Sequence, residues 1–284
     1  MTSTEIRSSP VQIGTLTDWA TISSGIAHVL ARKTDGTIWA WGSGNNGQLA
    51  QVTVAAVRSS PVQIGTLTDW ATVDAGDGHS FAMKNDGTLW AWGEATQGKI
   101  GDGLKVNRSS PVQIGTLTDW ATVSGGGTHT LARKTDGTIW AWGVGTSGQL
   151  DNNEDGTRFS PTAIGAAHKW TTVSASTSHT VAYKTDGTIW AWGLGNFGQL
   201  GQVTVTTTRS SPVQIGTLTD WAVAVAAGES HSLATKTNGT IWAWGLGTSG
   251  QLGQAPSAVS RSSPVQIGTL TDWLSLGRGL GLHT

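Results

Sequence analysis

Six histidines stand at nearly equal intervals. His28, His79, His129, His179, His231 and His283 recur every 50 to 52 residues. Imidazole is the commonest metal ligand and a proton carrier near neutral pH, so a ring of histidines gathered by pseudo-symmetry is the first chemistry the chain suggests. The surroundings of each copy argue otherwise. None has a local carboxylate or second histidine, and repeats set around a channel keep such a ring too wide for one ion's bonds of roughly 2 Å. The expectation is a structural histidine that hydrogen-bonds backbone in the neighbouring glycine turn, as buried polar groups do. No metal site and no cofactor is expected.

Three other polar patterns fare no better as catalysts. The run Asp151-Asn152-Asn153-Glu154-Asp155-Gly156 matches the opening of a calcium loop, but lacks the closing Glu and flanking helices, so it reads as a solvated acidic loop. Arg7, Arg58, Arg108, Arg209 and Arg261 each precede Ser-Ser-Pro, and Asp18, Asp69, Asp119, Asp220 and Asp272 each precede a tryptophan. Their matched recurrence leaves two alternatives open, an Arg–Asp contact between repeats or a rim charge worth about 0–1 kcal/mol. No nucleophile motif occurs, and nearly every polar feature is copied five times. No catalytic residue is assigned, because function must be argued from a site.

These residues are carried by repeating strands. The stretch Lys33-Thr34-Asp35-Gly36-Thr37-Ile38-Trp39-Ala40-Trp41-Gly42 reads as the tip and second strand of a β-hairpin with a two-residue type I′ Asp-Gly turn. It returns at 86–93, 136–143, 186–193 and 238–245. Before it lie three further strand candidates: Ser9–Gly14, Trp19–Ser23 and His28–Lys33. The unit-leading tryptophans, Trp19, Trp70, Trp120, Trp170, Trp221 and Trp273, repeat with a period near 50, which points to a propeller or solenoid. The units run 7–57, 58–107, 108–157, 158–208, 209–260 and, without its hairpin, 261–284. They form one repeat domain over residues 1–284.

Composition agrees. The 284 residues hold 40 glycines, 16 tryptophans and no cysteine, with 17 basic residues against 18 acidic. Sixteen exposed indoles would create patches that soluble monomers rarely carry, so most must be core. This assigns the hairpin pairs Trp39/Trp41, Trp90/Trp92, Trp140/Trp142, Trp190/Trp192 and Trp242/Trp244 to packing between blades, beside the five histidines His28, His79, His129, His179 and His231. Near-neutral charge gives no argument for nucleic acid. No apolar run approaches a membrane span, and the first residues lack the apolar core of a signal peptide. Localisation stays open.

The run Gly-x-x-His…Ala at 228–234, with 238–245 and Gly250-Gln251-Leu252-Gly253, resembles the repeat of the regulator of chromosome condensation family. The likeness runs from Arg7 to about Thr284. It implies an all-β propeller, usually of seven blades, that serves as a protein-binding platform. Members include an exchange factor for a small GTPase that docks on chromatin, and a secreted inhibitor of β-lactamase. Neither activity carries over, since the loops here are short and bland and no basic patch is present. Five complete repeats and a partial sixth leave three outcomes: a closed five-bladed ring, an open or oligomer-completed arc, or a piece of a longer array.

Residues that drift between otherwise uniform repeats mark the expected binding surface: Asn45, Asn46, Asp77, Thr96, Gln97, Asn196, Phe197 and Glu229. The expected function is a non-catalytic scaffold that binds a protein partner through these loops on one face. A multivalent glycan-binding propeller is one alternative. Self-association of incomplete propellers into a virion or surface assembly is the other.

Overall fold

In the computed structural model the chain is described at all residues except 1–10, 52–56, 152–155, 166–168, 204–207, 255–258 and 278–284. Alternating apolar and polar residues, with β-branched and aromatic side chains, form strands throughout. The described residues contain no helix and build five four-stranded antiparallel sheets. The first sheet is β1 (Trp19–Ser24), β2 (His28–Lys33), β3 (Ile38–Gly42) and β4 (Arg58–Gln63), hydrogen-bonded in that order. The second is β5 (Trp70–Ala75), β6 (His79–Lys84), β7 (Leu89–Gly93) and β8 (Arg108–Gln113). The third is β9 (Trp120–Gly125), β10 (His129–Lys134), β11 (Ile139–Gly143) and β12 (Arg158–Ile164). The fourth is β13 (Thr172–Ala175), β14 (His179–Tyr183), β15 (Ile189–Leu194) and β16 (Thr208–Gln214). The fifth is β17 (Trp221–Ala227), β18 (His231–Lys236), β19 (Ile241–Gly245) and β20 (Arg261–Ile267).

The strand types are those read from the sequence, but their phase differs. The Arg-Ser-Ser-Pro strand opens no sheet. It pairs backward onto the preceding hairpin, as β3 with β4. Arg261–Ile267 therefore completes the fifth sheet, so the unit without a hairpin supplies that sheet's last strand. The described part of the expected strand Ser9–Gly14, residues 11–14, lies outside any strand. Its first two residues, 9 and 10, fall outside the described set.

The hairpin tip also differs from expectation. Gly36 N–H bonds the Lys33 carbonyl, and Lys33 N–H bonds the Thr37 carbonyl. Gly36 has φ 82°, while Asp35 is not among the residues with positive φ. This is a three-residue loop, a type I turn followed by a left-handed glycine, rather than type I′. Asp35 Oδ1 accepts from both the N–H and the hydroxyl of Thr37, at 2.9 and 2.7 Å, which stabilises this form locally. A second glycine is fixed by crowding. Gly42 has φ 102°, and a Cβ there would strike the Ala27 carbonyl.

Successive sheets pack through their tryptophan-led strands, β1 on β5, β5 on β9, β9 on β13 and β13 on β17. The core is a series of lenses between neighbouring sheets. One gathers Leu30, Ile38, Leu49, Ile64 and Trp70 of the first two sheets around Trp92. The described residues show no comparable packing between β1 and β17.

Candidate functional site

Antiparallel register decides which turns share an end of each sheet. His28 pairs with Gly42, so the turn before β2 and the loop after β3 emerge together. The N–H of Ser43 bonds the Ala27 carbonyl and joins the two loops; Glu94 to Gly78, Val144 to Thr128, Leu194 to Ser178 and Leu246 to Ser230 repeat that bond. Within the second loop, Gln48 Oε1 accepts from Asn46 N–H at 2.9 Å, and Gln199 Oε1 from Phe197 N–H at 2.8 Å. All eight drifting residues therefore sit at one end of the array. Asn45, Thr96, Gln97, Asn196, Phe197 and Glu229 are exposed, while Asn46 and Asp77 are half-buried. The opposite end holds the Asp-Gly turns and is nearly uniform.

Bonds between sheets hold this loop end together. Asp77 N–H donates to the Gly126 carbonyl, and Gly127 N–H to the Ser176 carbonyl at 3.0 Å. The Thr128 hydroxyl donates to the Thr177 carbonyl at 2.8 Å. In these turns the charged residues are Asp77, Glu94, Lys99 and Glu229. Lys99 Nζ lies 2.9 Å from Glu94 Oε2. Burial pushes the Glu94 carboxyl up, but the hydrogen bond and charge of Lys99, together with the Thr96 hydroxyl, outweigh it and hold the carboxyl below the usual range. The loop end is thus mildly acidic.

Beneath it, the histidines take a role that the sequence concealed. Their rings bridge sheets. His28 Nε2 lies 3.0 Å from the Ser80 hydroxyl of the next sheet, and His179 Nε2 lies 2.9 Å from that of Ser232. His79 with Thr130 and His129 with Thr180 complete the series at 3.3 and 3.2 Å. Burial pushes His28 down to about 4. It pushes His179 to about 3, helped by His129 and His231, whose positive charge would oppose its own. The glycine turn remains close, since Gly25 N–H bonds the His28 carbonyl.

The second tryptophan is buried in four of the five hairpins, while Trp41 of the first is half-buried. Trp92, Trp142, Trp192 and Trp244 are fully buried. Each indole N–H reaches the preceding sheet, bonding the carbonyl of Gln48, Lys99, Gln149 or Gln199 at 2.7–3.0 Å. The half-buried first tryptophans, Trp39, Trp90, Trp140, Trp190 and Trp242, pack edge-on against Trp19, Trp70, Trp120, Trp170 and Trp221 at 5.9–6.1 Å. A lysine lies over each pair: Lys33, Lys84, Lys134, Lys184 or Lys236. These lysines also answer the question of the recurrent Asp. Asp18, Asp69, Asp119 and Asp220 pair with the lysine of their own sheet at 3.0–3.3 Å, not with an arginine of the next. Arg108 instead pairs with Asp102 at 2.7 Å. The signal was present in the sequence as the invariant Lys at the hairpin's entrance.

The acidic run after Leu150 is described only at its two ends, since 152–155 lie outside the described residues. Burial raises the Asp151 carboxyl to about 7. No helix among the described residues is long and apolar enough to cross a membrane.

Sheets of this form and order define a β-propeller repeat array, with each blade packed on its neighbour. The chain belongs to the Regulator of chromosome condensation (RCC1) repeat family, whose repeat matches residues 35–83, 86–133, 136–183, 186–235 and 238–275. Mouse Regulator of chromosome condensation is 32% identical over 82 residues, 28% of this chain and 20% of that protein. Mouse Protein RCC2 is 34% identical over 91 residues, 31% of this chain and 17% of that one. Human Probable E3 ubiquitin-protein ligase HERC6 is 33% identical over 84 residues, 29% of this chain and 8% of its own length. Among solved structures, human WBSCR16 superposes with a TM-score of 0.82 at 20% identity, covering 92% of this chain and 70% of that one. Yeast RCC1 (Prp20), bound to Kap60, gives 0.79 at 20% identity, covering 92% and 66%. At that identity the structural likeness speaks to fold alone.

Proposed function

We propose that this chain is a non-catalytic scaffold whose loop end binds another protein. One observation carries the reading: the residues that differ between repeats share one end of the array, while the opposite end repeats almost unchanged. Packing accounts for uniformity, and divergence at one exposed end is where a partner can be told apart from blade to blade. One yeast relative, Prp20, lends support as an analogy: one structure of it is solved with Kap60, and another is described with its binding properties to Gsp1p and histones. Asp77, Glu94 and Glu229 against the single Lys99 favour a partner presenting basic side chains.

The glycan reading needs an aromatic platform repeated in each blade. Phe197 is the one exposed ring in these turns, which weighs against that reading. A photo-crosslinking residue placed at Phe197, and separately at Thr135 on the opposite end, tests the proposal in lysate of the source cells. Protein adducts from position 197 and none from position 135 are expected. Adducts from position 135 alone would sink it.

A further inference from the structure

Two non-glycine residues among those described take a positive φ, Ala50 at 52° and Asp151 at 48°. They hold the same place in their repeats. Each follows a leucine and closes the turn after the hairpin, Ala50 N–H bonding the Gly47 carbonyl and Asp151 N–H the Gly148 carbonyl. The other repeats have Gly101, Gly201 and Gly253 there.

In the third repeat the Asp151 carboxyl accepts from the Gly165 N–H. A Cβ placed at Gly165 would lie 3.2 Å from Asp151 Oδ2 and 3.6 Å from Trp170 Nε1. The carboxyl and the indole nitrogen therefore flank one spot where the third sheet meets the fourth. That spot is partly desolvated, since burial raises the carboxyl to about 7.

The first repeat has the same frame without the carboxyl. Gly65 corresponds to Gly165 and Trp70 to Trp170, while the Ala50 side chain stops at Cβ. Nothing lies within 4 Å of a Cβ placed at Gly65. Among the described residues the Gly65 N–H has no partner. The indole N–H of Trp70, a ring only 2% exposed, has none either. Here a cleft of about 390 Å³ opens between the first and second sheets, lined by Ala50, Gly65, Leu67, Trp70, Trp90 and Pro111. No charged residue lines it, and none of the eight drifting residues does. An apolar cleft with a few fixed polar groups is the usual form of a small-molecule site.

We propose that this cleft binds a small carboxylic acid with an apolar body. Its carboxyl takes the place that the Asp151 carboxyl fills in the third repeat, accepting from the Gly65 N–H and the Trp70 indole. The apolar body lies on Leu67, Trp90 and Pro111. The cleft offers hydrogen bonds and no countercharge, so it selects an apolar acid over a multiply charged one.

The test uses the full chain with nitrogen-labelled tryptophan, and phenylacetate as the probe. The Trp70 indole signal, assigned with Trp70→Phe, is expected to move on titration. Ala50→Asp puts the chain's own carboxyl into the cleft, in a backbone conformation that Asp151 already adopts. It should weaken phenylacetate binding by at least about tenfold. Asp151→Ala recreates the first repeat's arrangement in the third and should bring the Trp170 signal into response. Phenethyl alcohol, which keeps the ring and lacks the carboxyl, should bind about tenfold more weakly than phenylacetate. A Trp70 signal that phenylacetate leaves unmoved would overturn the proposal. So would undiminished binding to a folded Ala50→Asp variant, equal binding of phenethyl alcohol, or a silent Trp170 in a folded Asp151→Ala variant.

Discussion

The internal junctions and the end faces are made from the same strands, yet they differ in how their polar groups are treated. Inside, every apolar lens is closed by bonds between sheets: histidine to hydroxyl, indole to carbonyl, and oxygen to backbone N–H. On the outer face of the first sheet, Val29 stands where the internal junctions have a hydroxyl, and Trp41 is only half-buried. Burial makes the difference consequential. An unmet polar group costs about 1–3 kcal/mol inside a junction and little where water replaces the partner.

Acid should separate the two regions most strongly. His28 and His179 face internal junctions and stay neutral down to about 4 and about 3. The unfolded chain takes up protons near 6.5, so stability is fully present above that value and falls as pH drops toward the folded values. Linkage puts the loss at roughly 3 kcal/mol for His28 alone, and more for His179. Urea unfolding at steps between neutral pH and pH 4 measures it; a flat profile would show that these rings are not held neutral.

Truncating the paired indoles comes next. Trp142→Ala opens a cavity in a closed lens and should cost about 4 kcal/mol. Trp41→Ala, on the first face, should cost about 1 kcal/mol, since less apolar surface is buried there. Equal losses in denaturant midpoint would erase the distinction between inside and end. A smaller effect is expected from Thr130→Val, which removes partners of His79 and of the Lys99 carbonyl. It should cost about 2 kcal/mol, whereas Ser262→Ala on the exposed outer strand should leave the melting curve unmoved.

The smallest effect concerns the lysine that lies over each tryptophan pair. The fourth repeat has Lys169 where the others have Asp. Burial lowers the Lys184 pKa, partly offset by Asp186. Lys169→Asp should add up to about 0.5 kcal/mol at low salt, an increment that fades as salt rises. Nitrogen-detected titration of Lys184 should show its pKa moving upward in the variant.

Much of this was legible in the residues. Hydrophobic spacing of two marked the strands, tryptophan arithmetic marked the lenses, and drift between copies marked the loop end. The drifting residues share an end because antiparallel pairing brings residues 24–27 and 43–49 together, and that pairing was itself readable. The role of Lys33 and its copies was missed because cation–π contact depends on a tryptophan 14 residues away and another six away, on two different strands. The histidine partners were missed for a similar reason, since each lies about 50 residues along, on the next sheet.

The sequence by itself determined the repeat, the strand types and the chemistry at each position. Only the tertiary structure decided where one blade stops and the next begins. A periodic pattern looks the same wherever it is cut, so the phase depends on which strands form a ladder. Pairing Arg58–Gln63 with β3 satisfies the backbone of both. The same choice turns Arg261–Ile267 into the close of a fifth blade and leaves residues 11–14 without a ladder.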